Sequence, residues 1–178
     1  MAALEQLNEL VALGTLGMEA LAVLLLAVFI WGKGTPLARL AEKWALPFSL
    51  LVVLVGIVVS LVYSDYFGIE ACWLCWYQRV FLYPQVVLFA VALWKKDTRV
   101  AYYSIALSVF GAAVALYQHY LQMGGTGVLP CPASGGDCAQ RFIFEYGHIT
   151  FPWIALTTFA LLIVLMLYVR RSGNAARS

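Results

Sequence analysis

An all-α polytopic membrane protein that crosses the bilayer five times, N-terminus outside and C-terminus inside, is the fold class this sequence predicts, on three observations. Its 178 residues are 63% hydrophobic and 11% charged, against roughly 45–50% and about 25% in soluble domains. Five apolar stretches are long enough, at about 1.5 Å per residue, to cross a hydrocarbon core of about 30 Å. Lys33, Arg39, Lys43, Lys95, Lys96, Arg99, Arg170, Arg171 and Arg177 all fall at one set of span ends, and Glu5, Glu9, Asp65, Glu70, Asp137 and Glu145 at the other. The positive-inside rule assigns the first set to the cytoplasm. A net charge of +2 says little about partners in such a chain, and none of its patterning points to nucleic acid.

The first span covers residues 10–30 and is closed by Trp31. No basic residue precedes it, Glu19 interrupts it and no small-residue cleavage site precedes Lys33, so it reads as a retained helix, not a cleaved signal. Residues 32–44 contain Gly-Lys-Gly-Thr-Pro, which breaks helices, and read as a cytoplasmic loop. The second span covers residues 45–62, with Pro47 tolerated in its first turn. A short acidic outer loop leads to Cys72, which opens the third span, residues 72–94, where Pro84 predicts a kink.

Residues 100–121 form the fourth span, ending in Tyr117, His119 and Tyr120. The long outer loop 122–150 holds a second cysteine pair, and its aromatic, charged stretch 139–146 reads as an interfacial segment. Residues 151–169 are the last span, with Pro152 in its first turn, and the basic tail 171–178 is cytoplasmic. Most Trp and Tyr residues at span ends form the aromatic belt expected of such a chain.

The chemistry concentrates at Cys72-Trp-Leu-Cys-Trp-Tyr-Gln-Arg79. A Cys-x-x-Cys at a helix start meets unpaired backbone N–H groups and the positive end of the macrodipole, which favour the reactive thiolate. Cys72, Cys75 and Arg79 fall at i, i+3 and i+7, on one helix face. The predicted topology puts all four cysteines outside, where thiols meet an oxidising compartment.

The second pair, Cys131 and Cys138, encloses Gly135 and Gly136 in a small loop in which a disulfide is feasible. Either it exchanges with other thiols, or it is a static staple of the outer loop. Arg79 is expected about 9 Å along its helix, where a guanidinium must be paired or snorkel. His119 approaches the same depth from the fourth span, as a packing residue or as a second donor. Two donors at that depth suit a flat, apolar, carbonyl-bearing molecule such as a quinone dissolved in the bilayer. Trp73, Trp76 and Tyr77 are placed to line a ring pocket. Glu19 reads as a protonated, helix-packing carboxyl, given the cost of charge at mid-membrane. Rival readings are a structural zinc held by the four cysteines and a haem held by His119 and His148.

The chain resembles the DsbB family of disulfide bond formation proteins, in particular its short BdbC-like members. The resemblance covers about residues 45–170. It rests on Cys-Trp-Leu-Cys-Trp-Tyr-Gln-Arg at 72–79, Tyr83-Pro84, Asp97-Thr-Arg99, Tyr-Gln-His at 117–119 and Ser-Gly-Gly-Asp-Cys-Ala-Gln-Arg at 134–141. It implies a four-helix transmembrane bundle, residues 45–170, to which residues 1–44 add an extra N-terminal helix and loop.

It also implies a thiol:quinone oxidoreductase. Such an enzyme reoxidises an extracytoplasmic thioredoxin-like oxidase of the DsbA or BdbD type, acting in trans, and passes the electrons to ubiquinone or menaquinone in the plasma membrane. By that resemblance Cys131 meets the partner, Cys138 is its disulfide mate, Cys72 exchanges with the loop pair and Cys75 faces the quinone. Arg79, His119 and Trp76 are the expected quinone contacts. Vitamin K epoxide reductase-like proteins are the nearest rival, but their loop cysteines precede the Cys-x-x-Cys, whereas here they follow it.

Overall fold

The computed structural model describes residues 2–127 and 137–175. It is all helical apart from one isolated antiparallel bridge, Glu145 to Ile149. Helix α1 spans Ala2–Trp31 and α2 spans Pro36–Leu61. The break between them is confined to residues 32–35, with Gly34 at φ 84°. Thr35 caps α2: its hydroxyl accepts from Ala38 N at 3.2 Å, and Pro36 fills the first helical position, where no N–H is needed.

The expected loop 32–44 is therefore mostly helix, and α2 starts at Pro36 rather than Ala45. Leu, Ala, Arg, Glu and Lys dominate residues 37–46 and are strong helix formers, so one good cap suffices to start the helix early. Pro47 consequently lies inside α2, not in its first turn. At its outer end α2 runs into a π-helical turn, Val62–Tyr66, closed by Phe67 N donating to Val62 O at 3.1 Å.

The third span divides where Pro84 predicts it. Helix α3 spans Trp73–Leu82 and α4 spans Pro84–Lys95, with Tyr83 between them. Helices α5, Val100–Gln122, and α6, Phe151–Ala175, complete the bundle. Four helices are individually long and apolar enough to cross a membrane: Ala2–Trp31, Pro36–Tyr66, Val100–Gln122 and Phe151–Asn174. The stretch 139–146 is not helical. It folds back over the bundle end, burying Ile143 and leaving Phe144 and Tyr146 exposed.

Helix α6 is the central post. Phe159, Leu161, Leu162, Leu165, Met166 and Tyr168 are all buried in it, and it packs against α5, α2 and α1. Its most extensive packing is against α5, where a Cβ on Gly111 would collide with the Phe159 ring. Small residues at such crossings let helices without a hydrophobic drive between them gain contact area.

Helix α1 is mostly exposed but is bonded to the bundle at three levels. Asn8 Oδ1 accepts from Tyr63 OH at 2.8 Å, Glu19 Oε1 accepts from Trp153 Nε1 at 2.5 Å and Thr157 Oγ1 at 3.4 Å, and Leu25 O accepts from Tyr168 OH at 2.7 Å. Glu19 is thus a helix-packing acceptor, bridging α1 to α6.

Candidate functional site

Cys72 is the N-cap of α3, with extended backbone (φ −68°, ψ 169°), and its carbonyl accepts from Trp76 N at 3.0 Å. Cys75 lies one turn inside. Both are free thiols, Cys72 buried and Cys75 half-buried, with their sulfurs 3.1 Å apart. That separation is within about an ångström of the roughly 2.05 Å of a disulfide, so oxidation of the pair by an electron acceptor would need only small side-chain movements.

A buried amide organises the pair. Gln118 Nε2, on α5, lies 3.1 Å from Cys72 Sγ and 3.3 Å from Cys75 Sγ and donates to both. Its oxygen accepts from Gln78 Nε2 at 2.6 Å and also lies 3.7 Å from Cys75 Sγ. The N–H donors stabilise negative charge on whichever sulfur carries it.

Arg79 is held against α2. Its Nε donates to Ser60 Oγ at 3.0 Å and its Nη2 to Ser60 O at 3.3 Å, while Tyr83 OH also donates to Ser60 Oγ, at 3.3 Å. Its guanidinium carbon sits 5.1 Å from the Trp76 ring centroid, a cation–π contact. No carboxylate among the described residues pairs with it. The charge is therefore supported but not neutralised, and remains available to an electron-rich oxygen.

Cys72, Cys75, Gln118 and Arg79 all border one cavity of about 520 Å³. That size suits a small-molecule ligand. One end is polar, with Gln122, Asp137 and Gln140 at its rim; the rest is lined by α1, α2 and α6 with residues such as Met18, Leu51, Val55 and Phe159. The cavity thus has a polar end at the dithiol and an apolar body. The shared face expected of Cys72, Cys75 and Arg79 is the face that meets this cavity.

His119 goes elsewhere. Its Nδ1 lies 3.0 Å from Thr150 Oγ1, its ring is 4.8 Å from that of Trp153, and it does not line the cavity. The structure thus brings Arg79, but not His119, to the dithiol. Trp76 is 55% exposed and lines a shallower outer pocket, shared with Glu70 and Tyr83, on the far side of Arg79.

Cys138 is buried and disulfide-bonded. The expected Cys131–Cys138 pairing involves Cys131, which lies outside the described residues. The segment that carries Cys138 is tied to the bundle by Gln122 Nε2 donating to Gln140 O at 2.9 Å, so it sits at the cavity rim. Among the described residues no three metal-ligating side chains converge.

Sequence reasoning missed Gln118 and Gln78. The available signal was a pair of amides inside otherwise apolar spans, one flanked by Cys75 and Arg79 and the other beside His119. Polar side chains at membrane depth need partners.

A model of the family described as disulfide bond formation protein DsbB matches residues 41–169. The chain is similar to disulfide bond formation protein C of Bacillus subtilis, 37% identical over 121 residues, covering 66% of this chain and 86% of that protein. It is also similar to a probable disulfide formation protein of Metapseudomonas resinovorans, 32% identical over 68% of this chain and 85% of the relative. A third relative, the SPbeta prophage-derived disulfide bond formation protein B of Bacillus subtilis, is 35% identical over 60% of this chain and 72% of its own length. No solved structure matches.

Proposed function

We propose a function that proceeds from one fact: the chain belongs to the DsbB family of disulfide bond formation proteins. It is a membrane protein with a disulfide-forming, oxidoreductase role. Its finer activity, on our reading, is thiol:quinone oxidoreduction, with an extracytoplasmic thioredoxin-like oxidase as electron donor in trans. The observation that carries this is the Cys72 and Cys75 dithiol, with Gln118 and Arg79, opening on an apolar cavity. A dithiol facing solvent would suit a soluble partner alone; this one faces a membrane-depth void.

The steps balance as thiol–disulfide exchange. A partner thiolate attacks Cys131, breaking its disulfide with Cys138, and the partner's second thiol displaces Cys131, leaving the partner oxidised and the loop pair reduced. The loop dithiol then reduces the disulfide between Cys72 and Cys75. Cys75 faces the quinone and Cys72 closes the disulfide again as two electrons and two protons leave. The quinone supplies the electron sink. Arg79 holds the carbonyl end, and Gln118 keeps both sulfurs in register.

The active pairs lie on the extracytoplasmic side of a bacterial plasma membrane in this reading, with the N-terminus outside and five spans. Residues 45–170 are the catalytic bundle and residues 1–44 an added helix and link.

The test is anaerobic mixing of the purified protein with a quinone and a reduced thioredoxin-like oxidase. Loss of quinone absorbance matched one-to-one by partner disulfide is the expected result. A small dithiol replaces the partner as a control. Unchanged quinone absorbance with both donors, in protein that binds the quinone, overturns the reading. Arg79→Ala is expected to raise KM for quinone about tenfold, the equivalent of about 1.4 kcal/mol, with a smaller change in kcat.

A further inference from the structure

We infer that α1, which lies outside the residues matched by the family model, forms a wall of the quinone site and that the slot it makes with α2 holds the quinone's polyprenyl tail. This rests on the proposed thiol:quinone activity and extends it to a specificity element that the four-helix bundle lacks.

Four observations carry the inference. First, Leu10, Val11, Gly14, Thr15 and Met18 border the same cavity as Cys72 and Cys75, and their spacing is one face of α1. Second, α1 packs chiefly along α6 and touches α2 only lightly, so the void lies where α1 and α2 diverge. Third, the α2 wall runs from Phe48 to Ser60, roughly 18 Å at about 1.5 Å per residue, and the π-helical turn extends it through Tyr63 and Ser64. A ring head group near Cys75 uses only the outer end of that length.

Fourth, the hydroxyls on the deeper wall are spent on their own helices: Thr15 Oγ1 donates to Val11 O and Thr158 Oγ1 to Ile154 O, each at 2.8 Å. The deep slot therefore offers a ligand nothing but hydrocarbon contact. A flexible apolar chain attached to a polar, redox-active ring is the ligand whose polarity follows the same gradient.

Two glycines make the inference testable. Gly14 borders the cavity, and a Cβ there meets nothing within 4 Å, so the site accepts a larger side chain. A Cβ on Gly17 also meets nothing within 4 Å, but Gly17 does not border the cavity. Replacing either by leucine improves helix propensity, so neither substitution threatens α1. Only Gly14→Leu obstructs the slot.

The experiment uses the full chain in lipid nanodiscs. Binding of a polyprenyl quinone, and of the same ring bearing a methyl group in place of the chain, is read by quenching of tryptophan fluorescence, with turnover measured in parallel. Gly14→Leu is expected to raise Kd for the tailed quinone about tenfold, the effect of displacing roughly two methylenes, while leaving the tail-less quinone unchanged. Gly17→Leu is expected to change neither.

Equal binding of both quinones by Gly14→Leu and the parent overturns the inference and gives the slot to lipid acyl chains. Equal weakening of both quinones by Gly14→Leu also overturns it, placing the ring, not the tail, against α1. If the parent protein binds neither quinone, the quinone reading itself falls; if it binds both and only the Gly14→Leu contrast is missing, the tail assignment alone falls.

Discussion

The inner and outer halves of the bundle each bury a glutamine in apolar surroundings and satisfy it in opposite ways. In the inner half Gln85 donates to Phe81 O at 3.0 Å and Ser108 Oγ at 3.2 Å, and its oxygen accepts from Ser104 Oγ at 2.6 Å. All those partners are permanent. In the outer half Gln118 gives its N–H donors to two sulfurs whose charge and bonding change during a redox cycle. Packing differs as well: Gly111 lets one side of Phe159 press against the α5 backbone, whereas beside the dithiol the helices leave a cavity of about 520 Å³ that Phe159 also borders. A buried amide with fixed partners secures a fold, and one aimed at reactive atoms serves chemistry.

Substitutions test that contrast. The largest effect is expected from Cys75→Ser, which should reduce quinone-linked turnover to background while thermal unfolding changes little. Normal turnover in that variant would remove the outer half from the reaction. Gln118→Leu comes next, with turnover lowered about 10- to 100-fold, from the roughly 1.5–3 kcal/mol of a hydrogen bond to a charged group. Stopped-flow reduction of quinone by the pre-reduced protein measures it.

Gly111→Ala should lower stability by about 1–3 kcal/mol through overpacking against Phe159, read as a shift in chemical unfolding. The smallest effect is expected from Gln85→Leu, about 1 kcal/mol of stability and no change in turnover. If Gln85→Leu slowed turnover as much as Gln118→Leu, the division between the halves would not hold.

Much of the site was legible because Cys72, Cys75 and Arg79 carry their own geometry: a two-residue spacer and a seven-residue interval on a helix fix the face they share. The start of α2 was not. Gly-Lys-Gly-Thr-Pro announces a break, but the cap that ends the break, Thr35 with Pro36, lies within the same five residues, and basic residues beyond it are as compatible with helix as with loop. His119 illustrates a different limit. In a span that is apolar nearly all round, nothing in the pattern fixes rotation about the axis, so two adjacent polar residues compete for the inward face. Gln118 takes it, and His119, about 100° away around the helix, meets Thr150 and Trp153. The extra helix α1 was recognisable as a span, but its place against the cavity depends on side-chain bonds to α6 that no local pattern encodes.

Those bonds impose an order on assembly. Trp153, Thr157 and Tyr168, which hold Glu19 and Leu25 of α1, all belong to α6, far later in the chain than α1. At roughly 5–20 residues per second, synthesis of the roughly 120 residues between the end of α1 and Trp153 takes about 6–25 s. Before α6 is made, α1 has its Asn8 partner, Tyr63, but neither of the α6 donors to Glu19. A chain interrupted before α6 therefore lacks both donors that satisfy the Glu19 carboxyl, and at membrane depth an unsatisfied carboxyl is costly.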